Sequence, residues 1–275
     1  MRKTKALGQH FLMHRALIEK ILSVISPQPD ELIIEIGAGK GALTFPLAER
    51  CHKLIAIEKD RALIPLLLEK KKENIIVLEK DVLRLDFADL LRDQEVPPGR
   101  VKLVGNLPYS ISSPFLFKVL DARDFFRAFV FLLQKEVAER LSAQPGSKKY
   151  APLSILFQLD FEVRLHMILK PGAFSPPPRV ESALISLKKR ERPLYPIEDR
   201  RGFRSFLRLA FSQRRKTLVN NLKSYAAPLP RVIQILSYLG LPPEVRPEQV
   251  SVENFGRLFD RLSSLLSSNY PPAQS

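Results

Sequence analysis

The chain has 275 residues, 45% of them hydrophobic and 27% charged, which is enough apolar material for a sizeable core and rules out global disorder. Forty-four Lys and Arg against 29 Asp and Glu leave a formal charge of +15, so the favoured partner is a polyanion, nucleic acid first. One cysteine, Cys51, excludes an internal disulfide and a cysteine-rich zinc site, and no apolar run reaches the roughly 18 residues of a membrane-spanning helix.

The basic start, Met1 to Lys5, is not followed by an apolar leader core or a small-residue cleavage site. With the lone cysteine, this predicts a cytoplasmic protein that engages no membrane. Residues 16–26 place Leu17, Ile18, Ile21, Leu22 and Ile25 on one helical face. From 32 to 189, apolar runs alternate with helix-like stretches, the pattern of βα repeats around a parallel sheet. Seven strands are predicted, over 32–36, 54–57, 75–78, 101–104, 129–133, 159–165 and 183–187. Stretches 92–100 and 142–151 carry proline, glycine and charge and read as surface loops. The run 188–201 reads as an interdomain linker. Beyond it only helices are predicted: one with Phe203, Phe206, Leu207, Ala210 and Phe211 on its apolar stripe, then 228–239 and 252–266, with a frayed end at 267–275. The expected organisation is an α/β domain over 1–190 and a small all-α domain over 200–275.

The first strand runs into EIGAGKGA, residues 35–42. Glycines there allow a tight turn and close approach of a nucleotide, and Glu58 follows about 20 residues on, so a dinucleotide such as NAD competes for this loop. Three carboxylates favour S-adenosylmethionine instead. Glu35, beside Gly37 and Gly39, repels a pyrophosphate but suits a cationic ligand end. Glu58, closing the second strand, suits ribose hydroxyls, and Asp81, after the third, suits an adenine amino group. After the fourth strand comes Asn106-Leu107-Pro108-Tyr109. An exocyclic adenine amine is a poor nucleophile because its lone pair is delocalised into the ring. Acceptors at the Asn106 side chain and the Pro108 carbonyl would hold its N–H groups and aim the lone pair at a methyl donor. Tyr109 would stack on the base and stabilise the developing positive charge.

With these strings in order, the chain resembles the ribosomal RNA adenine N6,N6-dimethyltransferases, in particular the small-subunit branch. The likeness includes LGQHFL (7–12), EIGAGKG (35–41), GNLPY (105–109), QKEVAERL (134–141), FSPPPRVES (174–182) and AFSQRRKTL (210–218). It implies a Rossmann-like class I S-adenosylmethionine-dependent methyltransferase fold with a seven-stranded sheet, and no metal. It implies cofactor contacts at His10, Leu12, Gly37, Gly39, Glu58, Asp81 and Asn106. It also implies that Phe174 stacks on the extruded adenine opposite Tyr109. The target it implies is a pair of adjacent adenines in a hairpin loop near the 3′ end of 16S rRNA, in the small subunit or its precursor, with a role in subunit biogenesis. The enzyme would act as a monomer. The alternatives are a large-subunit adenine methyltransferase conferring antibiotic resistance and a non-catalytic nucleic-acid-binding relative. Two departures stand out: Ala38 where the family has proline, and Tyr150-Ala151-Pro152 where it has Tyr-Gly.

Between Arg200 and Lys223 lie eight Lys and Arg and no acid. Arg204, Arg208, Arg214, Arg215 and Lys216 are the candidate phosphate contacts, with Lys148 and Lys149 extending the track. A paired adenine cannot present its amine, so the target base must be unpaired or flipped out.

Overall fold

The short strand Phe11–Leu12 (β1) precedes the amphipathic helix Arg15–Ile25 (α1), which buries Ile21, Leu22 and Ile25. Strands and helices then alternate: Leu32–Ile36 (β2), Thr44–Ala48 (α2), Lys53–Glu58 (β3), Ile64–Glu69 (α3), Ile75–Glu79 (β4), Phe87–Arg92 (α4), Val101–Asn106 (β5), Ser112–Asp121 (α5) and Ala128–Gln134 (β6). Two consecutive helices follow, Lys135–Leu141 (α6) and Pro152–Asp160 (α7), and then Phe161–Leu169 (β7), Phe174–Ser175 (β8) and Ser182–Lys189 (β9). The remainder is helical: Arg200–Ala210 (α8), Leu218–Asn221 (α9), Leu229–Tyr238 (α10) and Val252–Ser268 (α11). The computed structural model describes residues 9–92, 94, 99–225 and 228–268; of 224 and 265–268 it describes the backbone alone. The basic start, the first two residues of the 7–12 string, part of the 92–100 loop and 269–275 lie outside the described residues.

Seven strands form one sheet, as expected, and their order is β4-β3-β2-β5-β6-β9-β7. The pairs β2–β3, β3–β4, β2–β5 and β5–β6 are parallel, and β9 runs antiparallel to β6. Every residue of β2 is buried, as a strand covered on both faces requires. Strand order reverses between β2 and β5, and in an open α/β sheet the ligand crevice opens at the carboxyl ends of such a pair. The register sets Ile36 against Gly105. A Cβ at Gly105 would stand 2.5 Å from the Ile36 carbonyl oxygen, so only glycine lets β5 run this close to β2 just before Asn106. At the opposite ends of these strands, buried Glu31 pairs with Lys102 and Arg127, each at 2.8 Å.

The chain divides into two units, 1–138 with 162–189, and 139–161 with 190–275. The expected single boundary near 190 is therefore incomplete, because α7 groups with the later helices. Pattern reading placed a strand over 159–165, whereas α7 runs through Asp160 and the strand begins at Phe161. Pro152 opens α7, the Ser154 hydroxyl accepts from the Ala151 N–H at 3.0 Å, and every residue from Ser154 to Asp160 is buried. A helix buried all round has no apolar stripe to betray its period. Ala151 adopts extended backbone (φ −156°, ψ 170°), so its departure from glycine costs no strain.

Within the second unit α7 packs on α8 and α11. Asp199 caps α8 by accepting from the Gly202 N–H at 2.8 Å. Phe203 and Phe206 of α8 meet Phe255 and Phe259 of α11 at ring separations of 5.4 to 6.4 Å. The Arg200 guanidinium grips both Asp160 oxygens at 2.8 and 2.9 Å. The presumed linker is tied down in this unit: the N–H groups of Arg190 and Leu194 donate to the carbonyls of Asp160 and Leu159, and Ile197 is buried.

Candidate active site

Two adjoining crevices open at the carboxyl ends of β2, β3 and β5, and Gln9, Gly37, Glu58 and Pro108 line both. The first brings together His10, Leu12, Glu35, Gly37, Gly39, Asn106, Pro108 and Tyr109, although they come from separate parts of the chain. Asp81 lines the second.

Gly39 has φ +59°, a conformation side chains rarely adopt, and its N–H donates to Glu58 Oε2 at 2.8 Å. The other oxygen of Glu58 accepts from the N–H groups of Lys59 and Asp60, each at 2.8 Å, and from the Gln9 side chain at 3.5 Å. This carboxylate is thus rigidly aimed, and Oε2 keeps a lone pair for a further donor. Asp81 accepts from Lys59 Nζ at 2.8 Å, which holds its carboxyl below the usual range. Glu35 behaves differently. It is buried at the crevice base, and desolvation lifts its pKa to about 8, with the Thr44 hydroxyl (2.6 Å) opposing the rise and the nearby Glu58 charge adding to it.

Asn106 ends β5, and its Nδ2 donates to the His10 main-chain carbonyl at 2.6 Å. A carbonyl partner can only accept, so the amide nitrogen must face it, and Oδ1 is left as an acceptor at the crevice. Pro108 was expected to supply a second acceptor. Its carbonyl instead accepts from the Ile111 N–H at 3.1 Å and the buried Ser112 hydroxyl at 3.3 Å, which uses both lone pairs to close the turn. Tyr109 begins that turn. Its hydroxyl is 2.5 Å from Ser182 Oγ, itself buried, and burial pushes the phenol pKa up against the opposing effect of this hydrogen bond.

The residue facing Tyr109 also differs from expectation. The His10 ring lies 5.5 Å from the Tyr109 ring, tilted by 36°, with His10 Nδ1 2.7 Å from the Pro176 carbonyl oxygen. Phe174 is only 4% exposed and belongs to the hydrophobic core, where β8 pairs with β1 and sets Phe174 against Leu12. It does not line either crevice. Apolar packing and the two-residue ladder hold the ring inward.

The basic residues separate into two groups. Arg208, Arg215, Lys216 and Lys148 are exposed, and Arg204 is half-buried. Arg214 donates to the carbonyls of Lys148 and Tyr150 at 2.9 and 2.8 Å, so it braces the 142–151 loop, and Lys149 pairs with Glu139 at 2.5 Å.

A sequence profile described as ribosomal RNA adenine dimethylase matches residues 1–264. The chain belongs to this family. It is 42% identical over 269 residues to the ribosomal RNA small subunit methyltransferase A of Geobacter metallireducens, covering 96% of this chain and 97% of that protein. It is 41% identical over 257 residues to the protein of the same name from Xanthomonas campestris pv. campestris, covering 92% and 94%. Among solved structures, a dimethyladenosine transferase from Plasmodium falciparum is similar with a TM-score of 0.79 at 26% identity, covering 92% and 98%. The 23S rRNA methyltransferase ErmE is similar with a TM-score of 0.72 at 27% identity, covering 92% and 99%. Fold similarity therefore extends to an enzyme named for 23S rRNA, while the two sequence relatives above are named for the small subunit.

Reading the family's motifs missed several residues that shape this site. Phe11 packs against Gly39, and Lys40 Nζ lies 4.8 Å from the Phe11 ring centre. Thr44, Ser112 and Ser182 hold Glu35, the turn and Tyr109. Ser182 closes the FSPPPRVES string, so that string carried a signal; Thr44 and Ser112 gave none.

Proposed function

We propose that this chain uses S-adenosylmethionine to dimethylate N6 of two adjacent adenines in a hairpin loop near the 3′ end of 16S rRNA, in the small subunit or its precursor. It acts as a monomer in the cytoplasm and contributes to subunit biogenesis. The observation that carries the reading is Asn106: its amide nitrogen is committed to the His10 carbonyl, so its oxygen can only accept, at the carboxyl edge of the sheet. An acceptor fixed there draws on an adenine N6–H and turns the nitrogen lone pair out of conjugation with the ring. With the Pro108 carbonyl engaged, the Leu107 carbonyl, from a residue lining the same crevice, is assigned the second N–H.

The carboxylates of the crevice suit S-adenosylmethionine. Glu58 Oε2 would take a ribose hydroxyl and Asp81 the adenine amino group, while Leu12, Gly37 and Gly39 provide the walls; Glu35, which holds a proton in its buried place, offers no charge to the cationic amino-acid end. When bound, it supplies an electrophilic methyl group. Tyr109 and His10 offer ring faces to the target base, and the Ser182 hydrogen bond fixes the Tyr109 ring. No side chain is needed as a strong base, because an N6-methylated ammonium is acidic enough to lose its proton to water. Arg208, Arg215, Lys216, Arg204 and Lys148 bind phosphates. Residues 1–138 with 162–189 perform the chemistry, and the helical unit holds RNA.

The test supplies methyl-labelled S-adenosylmethionine with unmethylated small subunits or with large subunits, and maps the label. Label on two adjacent small-subunit adenines is expected. Label on the large subunit would favour the activity named for ErmE, and no transfer to either would overturn the reading.

A further inference from the structure

Helices α10 and α11 border an open groove outside the basic run of α8, lined by Arg231, Gln234, Ile235, Tyr238, Arg261 and Ser264. Arg231, Gln234 and Tyr238 lie three and four residues apart on one face of α10, and Arg261 and Ser264 are spaced likewise on α11. Buried Ile235 forms an apolar floor. Tyr238 is 71% exposed, an unusual position for a large ring that adds little to the core from there. The Arg261 guanidinium carbon sits 3.9 Å from the Tyr238 ring centre. That contact holds the tyrosine in place while leaving most of it in solvent. Arg231 donates to Gln234 Oε1 at 2.6 Å, which orients the guanidinium and leaves its remaining N–H groups for a ligand. Among the described residues no carboxylate lines the groove, and Asp260, beside Arg261 in the chain, accepts from the Tyr195 hydroxyl at 2.7 Å.

We propose that this groove is a separate RNA contact that seats one unpaired nucleotide, its phosphate on Arg231 and its base on the Tyr238–Arg261 stack. Two preset guanidiniums without an acid select an anion, and the exposed ring selects a flat apolar face beside it. An unpaired nucleotide carries both in one covalent unit, whereas a duplex hides its base faces. The identity of the partner as RNA rests on the function proposed above; the groove's geometry does not.

The test measures binding of the full-length protein to a short single-stranded oligoadenylate and to an abasic oligomer of equal length, across a salt series. Tyr238→Ala should weaken oligoadenylate binding about fivefold or more, as expected for loss of one stacked base, and leave the abasic oligomer unchanged. Tyr238→Phe should restore binding. Arg231→Ala should weaken both ligands and flatten the salt dependence by about one phosphate contact. The proposal is overturned if Tyr238→Ala binds oligoadenylate like wild type, or loses equal affinity for both oligomers. Methyl transfer to small subunits by the same preparations separates the two ideas. Transfer by wild type with an indifferent Tyr238→Ala removes the groove alone, whereas no transfer with a base-dependent Tyr238 effect removes the proposed function and keeps the groove.

Discussion

Replacing Asn106 by alanine deletes the acceptor proposed for the reacting nitrogen and also the 2.6 Å anchor of the His10 carbonyl. The two losses have different sizes and different readouts. Removing one preorganised group that acts on developing charge costs on the order of 10²- to 10³-fold in kcat. Leaving the His10 carbonyl without its donor costs about 1–3 kcal/mol, which for a chain of this size lowers Tm by roughly 2–10 °C. S-adenosylmethionine affinity should fall less than about tenfold, because Glu58, Asp81 and the glycine loop do not depend on Asn106 for their own hydrogen bonds. Single-turnover methyl transfer, calorimetric titration with S-adenosylhomocysteine and a thermal melt separate the three quantities. A variant whose rate falls only as far as its cofactor affinity, or stays near wild type, would remove Asn106 from the chemistry.

Three further outcomes follow from the geometry. Because the folded-state pKa of Glu35 is lifted from 4.5 to about 8, the native state holds a proton that the unfolded chain releases; its contribution is present in acid and lost as pH rises through about 8. Wild type should therefore lose stability relative to Glu35→Gln across that range in urea melts, and parallel profiles would show that Glu35 is ionised throughout. Phe174→Ala should cost about 3–5 kcal/mol in the same assay, as a core ring does; a cost below about 1 kcal/mol would place the ring at the surface. Arg208→Glu with Arg215→Glu should weaken rRNA binding and flatten the salt slope by about one unit per lost contact, while Arg214→Ala should chiefly lower Tm; the reverse pattern would exchange their roles.

The parallel strands, the glycine loop and the crevice carboxylates were readable before any coordinates. A strand covered on both faces must be continuously apolar, as 32–36 is, and a strand-to-helix turn that approaches a nucleotide must spend glycines. The boundary of the helical unit was not readable, because α7 is buried from Ser154 to Asp160 and its partners α8 and α11 lie far along the chain. A cut after Lys189 would strip those partners from α7, so truncation there cannot isolate the α/β unit.

Residue types marked the site, but contacts assigned the roles. Pro108 and Asn106 both offer an oxygen in the sequence. Only the folded turn consumes the first, through Ile111 and Ser112, and leaves the second open by committing the Asn106 amide nitrogen to His10, 96 residues away. In the same way, a two-residue ladder with β1 draws Phe174 into the core, and the carbonyls of Lys148 and Tyr150 take the Nη2 group of Arg214 as a brace for their loop. Local pattern encodes which backbone a segment can adopt, since burial and turn geometry constrain neighbours in sequence. Whether a donor, an acceptor or a ring remains available depends on partners brought in from elsewhere in the chain, and only the packed structure sets those.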